Sequence, residues 1–90
     1  MDPDLPPRRI VAVAIRFEGV LYSMPRPRRH HHIIRFVHEK TGANSIRGEQ
    51  GFLLEDGRFV DRYEAAGIAL KNGQVTQLQA PPQLYSEDLW

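Results

Sequence analysis

Gly51-Phe52-Leu53-Leu54-Glu55-Asp56-Gly57-Arg58-Phe59-Val60 is the stretch that decides the fold. Two short apolar runs flank Asp56-Gly57, a dipeptide suited to the positive φ angles of a tight β-hairpin turn. A two-residue turn there sets Glu55 opposite Arg58 as an oppositely charged cross-strand pair. Immediately downstream, Asp61 reads as an N-cap, and Glu64 completes an Asp-x-x-Glu variant of the capping box. The pattern predicts a helix from Arg62 to about Asn72, stopped by Gly73. Tyr63, Ala66 and Leu70 form its main apolar stripe, and Ile68 falls on the far side with Glu64 and Lys71. Gly67 in mid-helix costs about 1 kcal/mol against alanine, which points to a close backbone contact there. A short strand is expected over Val75–Leu78. Pro81-Pro82 then opens an extended tail ending Leu84-Tyr85-Ser86-Glu87-Asp88-Leu89-Trp90.

The same grammar occurs upstream. Val11, Val13, Ile15 and Phe17 alternate with Ala12, Ala14 and Arg16, so Ile10 to Phe17 reads as a strand with one buried face. Glu18-Gly19 is a two-residue turn signal, and Val20 to Met24 is the return strand. Pairing Phe17 with Val20 puts Val20, Tyr22 and Met24 on the buried face as well. Pro25 and Pro27 stop the strand. A helix is expected from about Arg28 to Lys40, stopped by Gly42, with His30, Ile33, Ile34, Val37 and Thr41 on one face. Arg28, His31, Arg35, His38 and Glu39 lie opposite. Ala43 to Gln50 reads as a loop. The fold class is therefore α+β: ββα-ββα, with two hairpins in an antiparallel sheet covered by two helices. An N-terminal arm is expected over residues 1–9, a single domain over 10–80, and over 81–90 a tail that docks on its own domain or on a neighbouring subunit.

Ninety residues leave room for one core. A chain this short buries only about 60–65% of its unfolded surface, which makes its stability marginal. The absence of cysteine excludes disulfides and thiolate metal sites and suits a reducing cytoplasm. Met1-Asp2-Pro3-Asp4-Leu5-Pro6-Pro7 has no apolar segment of the kind a signal peptide needs. No apolar run approaches the roughly 20 residues that span a bilayer, so no membrane partner is expected. The net charge of +1 hides a division: residues 1–47 carry nine Lys/Arg against four Asp/Glu, and residues 48–90 carry three against seven. Such halves suit either an anionic ligand at a basic face or an oligomer in which unlike halves meet. With the small core, the apolar Ile68 and the Trp90 tail, this predicts a homo-oligomer, at least a dimer.

Catalytic signatures are missing. There is no P-loop pattern, no G-x-G-x-x-G, no nucleophile elbow and no cysteine nucleophile. The consecutive histidines His30, His31 and His32 point about 100° apart on a helix, and the positions four residues beyond them are Ile34, Arg35 and Phe36, so helical metal chelation is not expected. No cofactor is called for. The basic segment Arg26-Pro27-Arg28-Arg29-His30-His31-His32-Ile33-Ile34-Arg35 is the strongest functional candidate. Arginine forks pair bidentately with phosphate, and a helix N-terminus adds unsatisfied N–H groups. Arg26, Arg28, Arg29, His31 and Arg35 are the candidate anion-binding residues. Tyr85 or Trp90 is the candidate stacking partner for a base, Tyr22 being assigned to the buried face.

Arg28-Arg29-His30-His31, the run Gly48-Glu49-Gln50-Gly51-Phe52 through Asp56-Gly57-Arg58-Phe59-Val60-Asp61-Arg62 with Glu64-Ala65-Ala66, and the terminal Leu84 to Trp90 together resemble small phage- and prophage-encoded proteins. The resemblance spans nearly all of the chain after the arm. It implies a counter-defence factor of one of two kinds: a sponge that sequesters a nucleotide immune signal, or an inhibitor that binds a CRISPR-type effector protein. It carries no residue roles with it. The readings open at this point are a stoichiometric binder of a phosphate-bearing nucleotide, a protein inhibitor of a host defence complex, and a small nucleic-acid-binding accessory protein.

Overall fold

The computed structural model describes residues 9–43 and 48–90. The N-terminal arm, except Arg9, and residues 44–47 of the expected loop lie outside the described residues. The element order is β1 (Ile10–Phe17), β2 (Val20–Pro25), α1 (His30–Thr41), β3 (Glu49–Leu54), β4 (Phe59–Asp61), α2 (Arg62–Asn72) and a short α3 (Ser86–Leu89). The strands form one antiparallel sheet in the order β2-β1-β3-β4, so the two hairpins share a sheet as the α+β reading requires. No helix among the described residues is long and apolar enough to cross a membrane.

Phe17 pairs with Val20 across Glu18-Gly19, both of which take positive φ, as a primed hairpin turn demands. The second turn differs from its expected form. Leu53 faces Phe59 and Phe52 faces Val60, and the Leu54 N–H donates to the Arg58 carbonyl at 3.0 Å, so the loop is Glu55-Asp56-Gly57. Only Gly57 needs a left-handed φ, of 88°. The extra residue uncouples Glu55 from Arg58, whose guanidinium instead reaches Glu64 on α2 at 3.5 Å. Asp61 caps α2 as expected, accepting from the N–H groups of Tyr63 and Glu64.

Val13, Ile15 and Phe17 join Phe52, Leu54 and Val60 under Ile33 and Val37 of α1 and Ala65, Ala66 and Ala69 of α2. Val11 is not in this set. A register irregularity between Ile10 and Ala12 turns Ile10 into the core and Val11 outward. The stripe of α2 is also corrected: Tyr63 and Leu70 are 58% and 44% exposed, while the alanines are buried and Ile68 packs against the core. Small side chains let the helix lie close to the sheet. A Cβ at Gly67 meets nothing within 4 Å, so no close contact explains that glycine. Gly51 and Gly48 are the positions that need one: a Cβ at Gly51 strikes the Val60 carbonyl oxygen and the Phe59 ring, and one at Gly48 strikes the Arg16 carbonyl oxygen. No strand forms over 75–78; Val75 instead donates its N–H to the Ala69 carbonyl at 3.3 Å, behind the end of α2.

Candidate functional site

Helix α1 begins at His30, with Arg29 in an extended conformation as its N-cap. The Arg29 N–H donates to Nδ1 of His32 at 2.8 Å, and the His32 N–H returns to the Arg29 carbonyl at 2.9 Å. A neutral His32 therefore carries its proton on Nε2. No acidic residue stands in the first turn. The positive end of the helix dipole is thus surrounded by further positive charge, which favours an anion there. Loss of hydration, then the positive charges of His31 and Arg28 and more weakly of Arg35, lower the pKa of His32 from its ordinary value.

His30 turns inward, away from His31 and His32. His30 is buried, its Nε2–H donates to the Gly51 carbonyl at 2.7 Å, and its ring stands edge-on to Phe52 at 5.0 Å. It is a rivet between α1 and β3. His31 and His32 lie outside, their rings 4.1 Å apart, and His38 meets the Ala43 carbonyl at the far end of the helix. Among the described residues no group of three or more His, Cys, Asp or Glu side chains is placed to hold a metal ion.

The chain returns to this turn at its end. Leu84 is fully buried, and its N–H donates to the Arg62 carbonyl at 3.0 Å. The Asp88 carboxylate accepts from the N–H groups of Tyr85 and Gln79 and closes the α3 turn. Trp90 is then held on both sides of its backbone: its indole N–H donates to the Arg28 carbonyl at 2.6 Å, and Nε of Arg29 donates to the Trp90 carbonyl at 2.8 Å. Arg28, Arg29 and Trp90 are in contact; His31 and Arg35 are four residues apart on α1, whereas Arg28 precedes the extended N-cap and lies outside the helix that was expected to begin there. Arg29 spends part of its fork on the tail, whereas Arg28, His31 and Arg35 are exposed. Arg26 sits apart at the end of β2, its N–H donating to the Val11 carbonyl.

Tyr85 goes to a different place. Its ring lies under the Arg62 guanidinium at 4.3 Å, beside a shallow cleft of about 330 Å³ lined by Gly48, Glu49, Gln50, Arg62, Tyr63 and Gln83. Arg62 donates to Oε1 of Gln50, while its Nε is buried with no partner. Gln83 joins the Tyr63 and Tyr85 hydroxyls. The sequence reading missed this polar cluster because it is assembled from three distant segments, none of which carries a local motif. The basic residues of α1 do not line it.

No curated protein and no solved structure matches the chain. The model of one protein family does match it over residues 9–90, which include both hairpins, both long helices and the tail that carries Trp90, and on that match the chain belongs to the phage T4 y16D protein family.

Proposed function

We propose that the protein is a stoichiometric binder of a phosphate-bearing nucleotide, sequestering it without turnover, with the phosphate at the first turn of α1. The observation that carries this reading is the attachment of Trp90 to Arg28 and Arg29, at 2.6 and 2.8 Å. It brings the Trp90 indole to the backbone of Arg28, next to the basic start of α1. Nucleotides require this pairing: fixed cations for phosphate and an aromatic plane for the base. A charge-assisted contact contributes about 1.5–3 kcal/mol and a stacked base about 1–3 kcal/mol. Two of the former with one of the latter reach the roughly 8 kcal/mol of micromolar binding, provided the groups are held in place beforehand. The tail bonds do that for Trp90. Membership of a phage protein family is consistent with a signal sponge acting in the host cytoplasm against defence signalling.

Calorimetry against mono-, di- and cyclic nucleotides tests the reading. Binding at micromolar level is expected for at least one of them, and Arg28→Ala with Arg35→Ala should abolish it. Because His32 is shifted toward its neutral form, the arginines carry the charge, and affinity should stay flat between about pH 7 and 8. Binding no tighter than about millimolar, or a double variant that binds as the parent does, overturns the proposal in favour of a protein-directed inhibitor.

A further inference from the structure

Strand β2 forms an outer edge of the sheet, with β1 on its inner side. We propose that β2 pairs antiparallel with β2 of a second copy, about a two-fold axis through Tyr22, so that two sheets become one continuous sheet. The proposal does not depend on the nucleotide reading.

The backbone parity is explicit. Phe17 pairs with Val20 across a two-residue turn, and the Arg26 N–H donates to the Val11 carbonyl. The even residues of β2 therefore bond to β1, and Leu21 and Ser23 direct their N–H and C=O groups away from the sheet. Protein edges are normally guarded by lysine, an inward charge, a bulge or proline. Val20-Leu21-Tyr22-Ser23-Met24 contains none of these, and proline comes only at Pro25. The edge itself carries apolar side chains, with the Lys40 ammonium of α1 near the Tyr22 and Phe36 rings at 5.9 and 5.8 Å. Val20 is 49% and Leu21 43% exposed, and Phe36 of α1, 44% exposed, stands edge-on to Tyr22 with ring centroids 6.3 Å apart.

Charge selects a second copy as the occupant and also sets the register. With Tyr22 on the axis, Leu21 faces the second copy's Ser23 and exchanges both backbone bonds with it, on each side of the axis. Glu18, in the turn that closes this edge, then lies toward the second copy's Arg26, and Arg26 toward its Glu18. Both are exposed, and neither has an ion pair among the described residues. The neighbouring registers are worse. Setting Leu21 on Leu21 carries the second copy's Arg26 past the Glu18-Gly19 turn, where the strand has ended. Setting Ser23 on Ser23 brings Leu21 against Pro25, which has no N–H to give.

The test is the mass of the full chain by light scattering during gel filtration, from about 1 to 100 μM. The expected result is twice the 10.3 kDa of one chain. Ser23→Pro removes only an outward N–H, so it should keep the circular dichroism of the parent and run as a monomer. Arg26→Glu should weaken the dimer at least tenfold, and Glu18→Lys added to it should restore association. If Ser23→Pro does not fold, the charge exchange decides alone. A parent that is monomeric at the highest concentration overturns the proposal. So does a dimer unaffected by Arg26→Glu, which would place the contact on another surface.

Discussion

His30 is buried at 6% exposure with its Nε2–H on the Gly51 carbonyl, and burial is the leading cause lowering its pKa, with the nearby Arg62 charge acting in the same direction. The Gly51 bond and Glu87 oppose that shift without reversing it. The unfolded chain takes up the proton near pH 6.5 and the folded chain only at lower pH. Between those values the unfolded state binds more protons, so stability falls as pH falls, and above about 6.5 His30 contributes no slope. We predict a histidine ring-proton titration for His30 below the free value, and a urea midpoint that declines from pH 7 to pH 5. His32 is shifted in the same direction but lies outside the core, so His30→Gln should lose more of the slope than His32→Asn. An unchanged slope in His30→Gln removes the rivet from the account. At this scale the sequence was readable where one residue type has one job. Glu18-Gly19 makes the turn its spelling predicts, and Asp61 caps its helix. Asp56-Gly57 is ambiguous because Gly57 serves equally in a two-residue turn or at the left-handed position ending a three-residue one. The register that pairs Phe52 with Val60 and Leu53 with Phe59 is that of the three-residue form.

Helix α2 shows what element-level reading misses. A stripe chosen by side-chain size selects Tyr63 and Leu70, yet the buried side is Ala65, Ala66 and Ala69. Alanine is a weak signal of burial in a sequence, but it is what permits a helix to approach β3 and β4 closely. Helix α1, whose inward residues are the larger His30, Ile33 and Val37, was legible at the same level. The grouping of the hairpins was legible in part: Tyr22 and Met24 pack against the core from the face expected of them, whereas Val20, expected with them and next to the turn at the edge of the sheet, is exposed. The glycine in α2 leads to a specific expectation. Gly67 is exposed and helical, and a methyl group added there would meet no neighbour within 4 Å. Gly67→Ala should therefore stabilise by up to about 1 kcal/mol through helix propensity and a less entropic unfolded chain. Denaturant titration measures it. A loss of stability would mean that this face of α2 is covered by something the isolated chain does not show.

Across the whole molecule, the tail determines which polar groups become neighbours. The sequence showed which residues were basic and which were aromatic. It could not show that Trp90 would reach Arg28 while Tyr85, five residues earlier, would lie under Arg62. That separation is fixed by Leu84, which is fully buried in the common core and bonded through its N–H to the Arg62 carbonyl. Leu84 sets the point at which the chain crosses from α2 to α1, and Ser86, also buried, continues that line. Removing the Leu84 side chain leaves a cavity where the tail enters the core. Leu84→Ala should cost about 2–5 kcal/mol, a large share of the roughly 5–15 kcal/mol that holds a domain of this kind together. Because the same anchor holds Trp90, the variant should also shift tryptophan emission to longer wavelength before the main unfolding transition. Nucleotide affinity, where present in the parent, should fall with it, whereas dimer mass should persist at concentrations where the variant remains folded, since β2 lies on the opposite flank of the sheet from β4. A loss below about 0.5 kcal/mol with unchanged emission would make the tail a surface appendage, and the Trp90–Arg28 contact could then no longer be treated as a preformed element of the binding site.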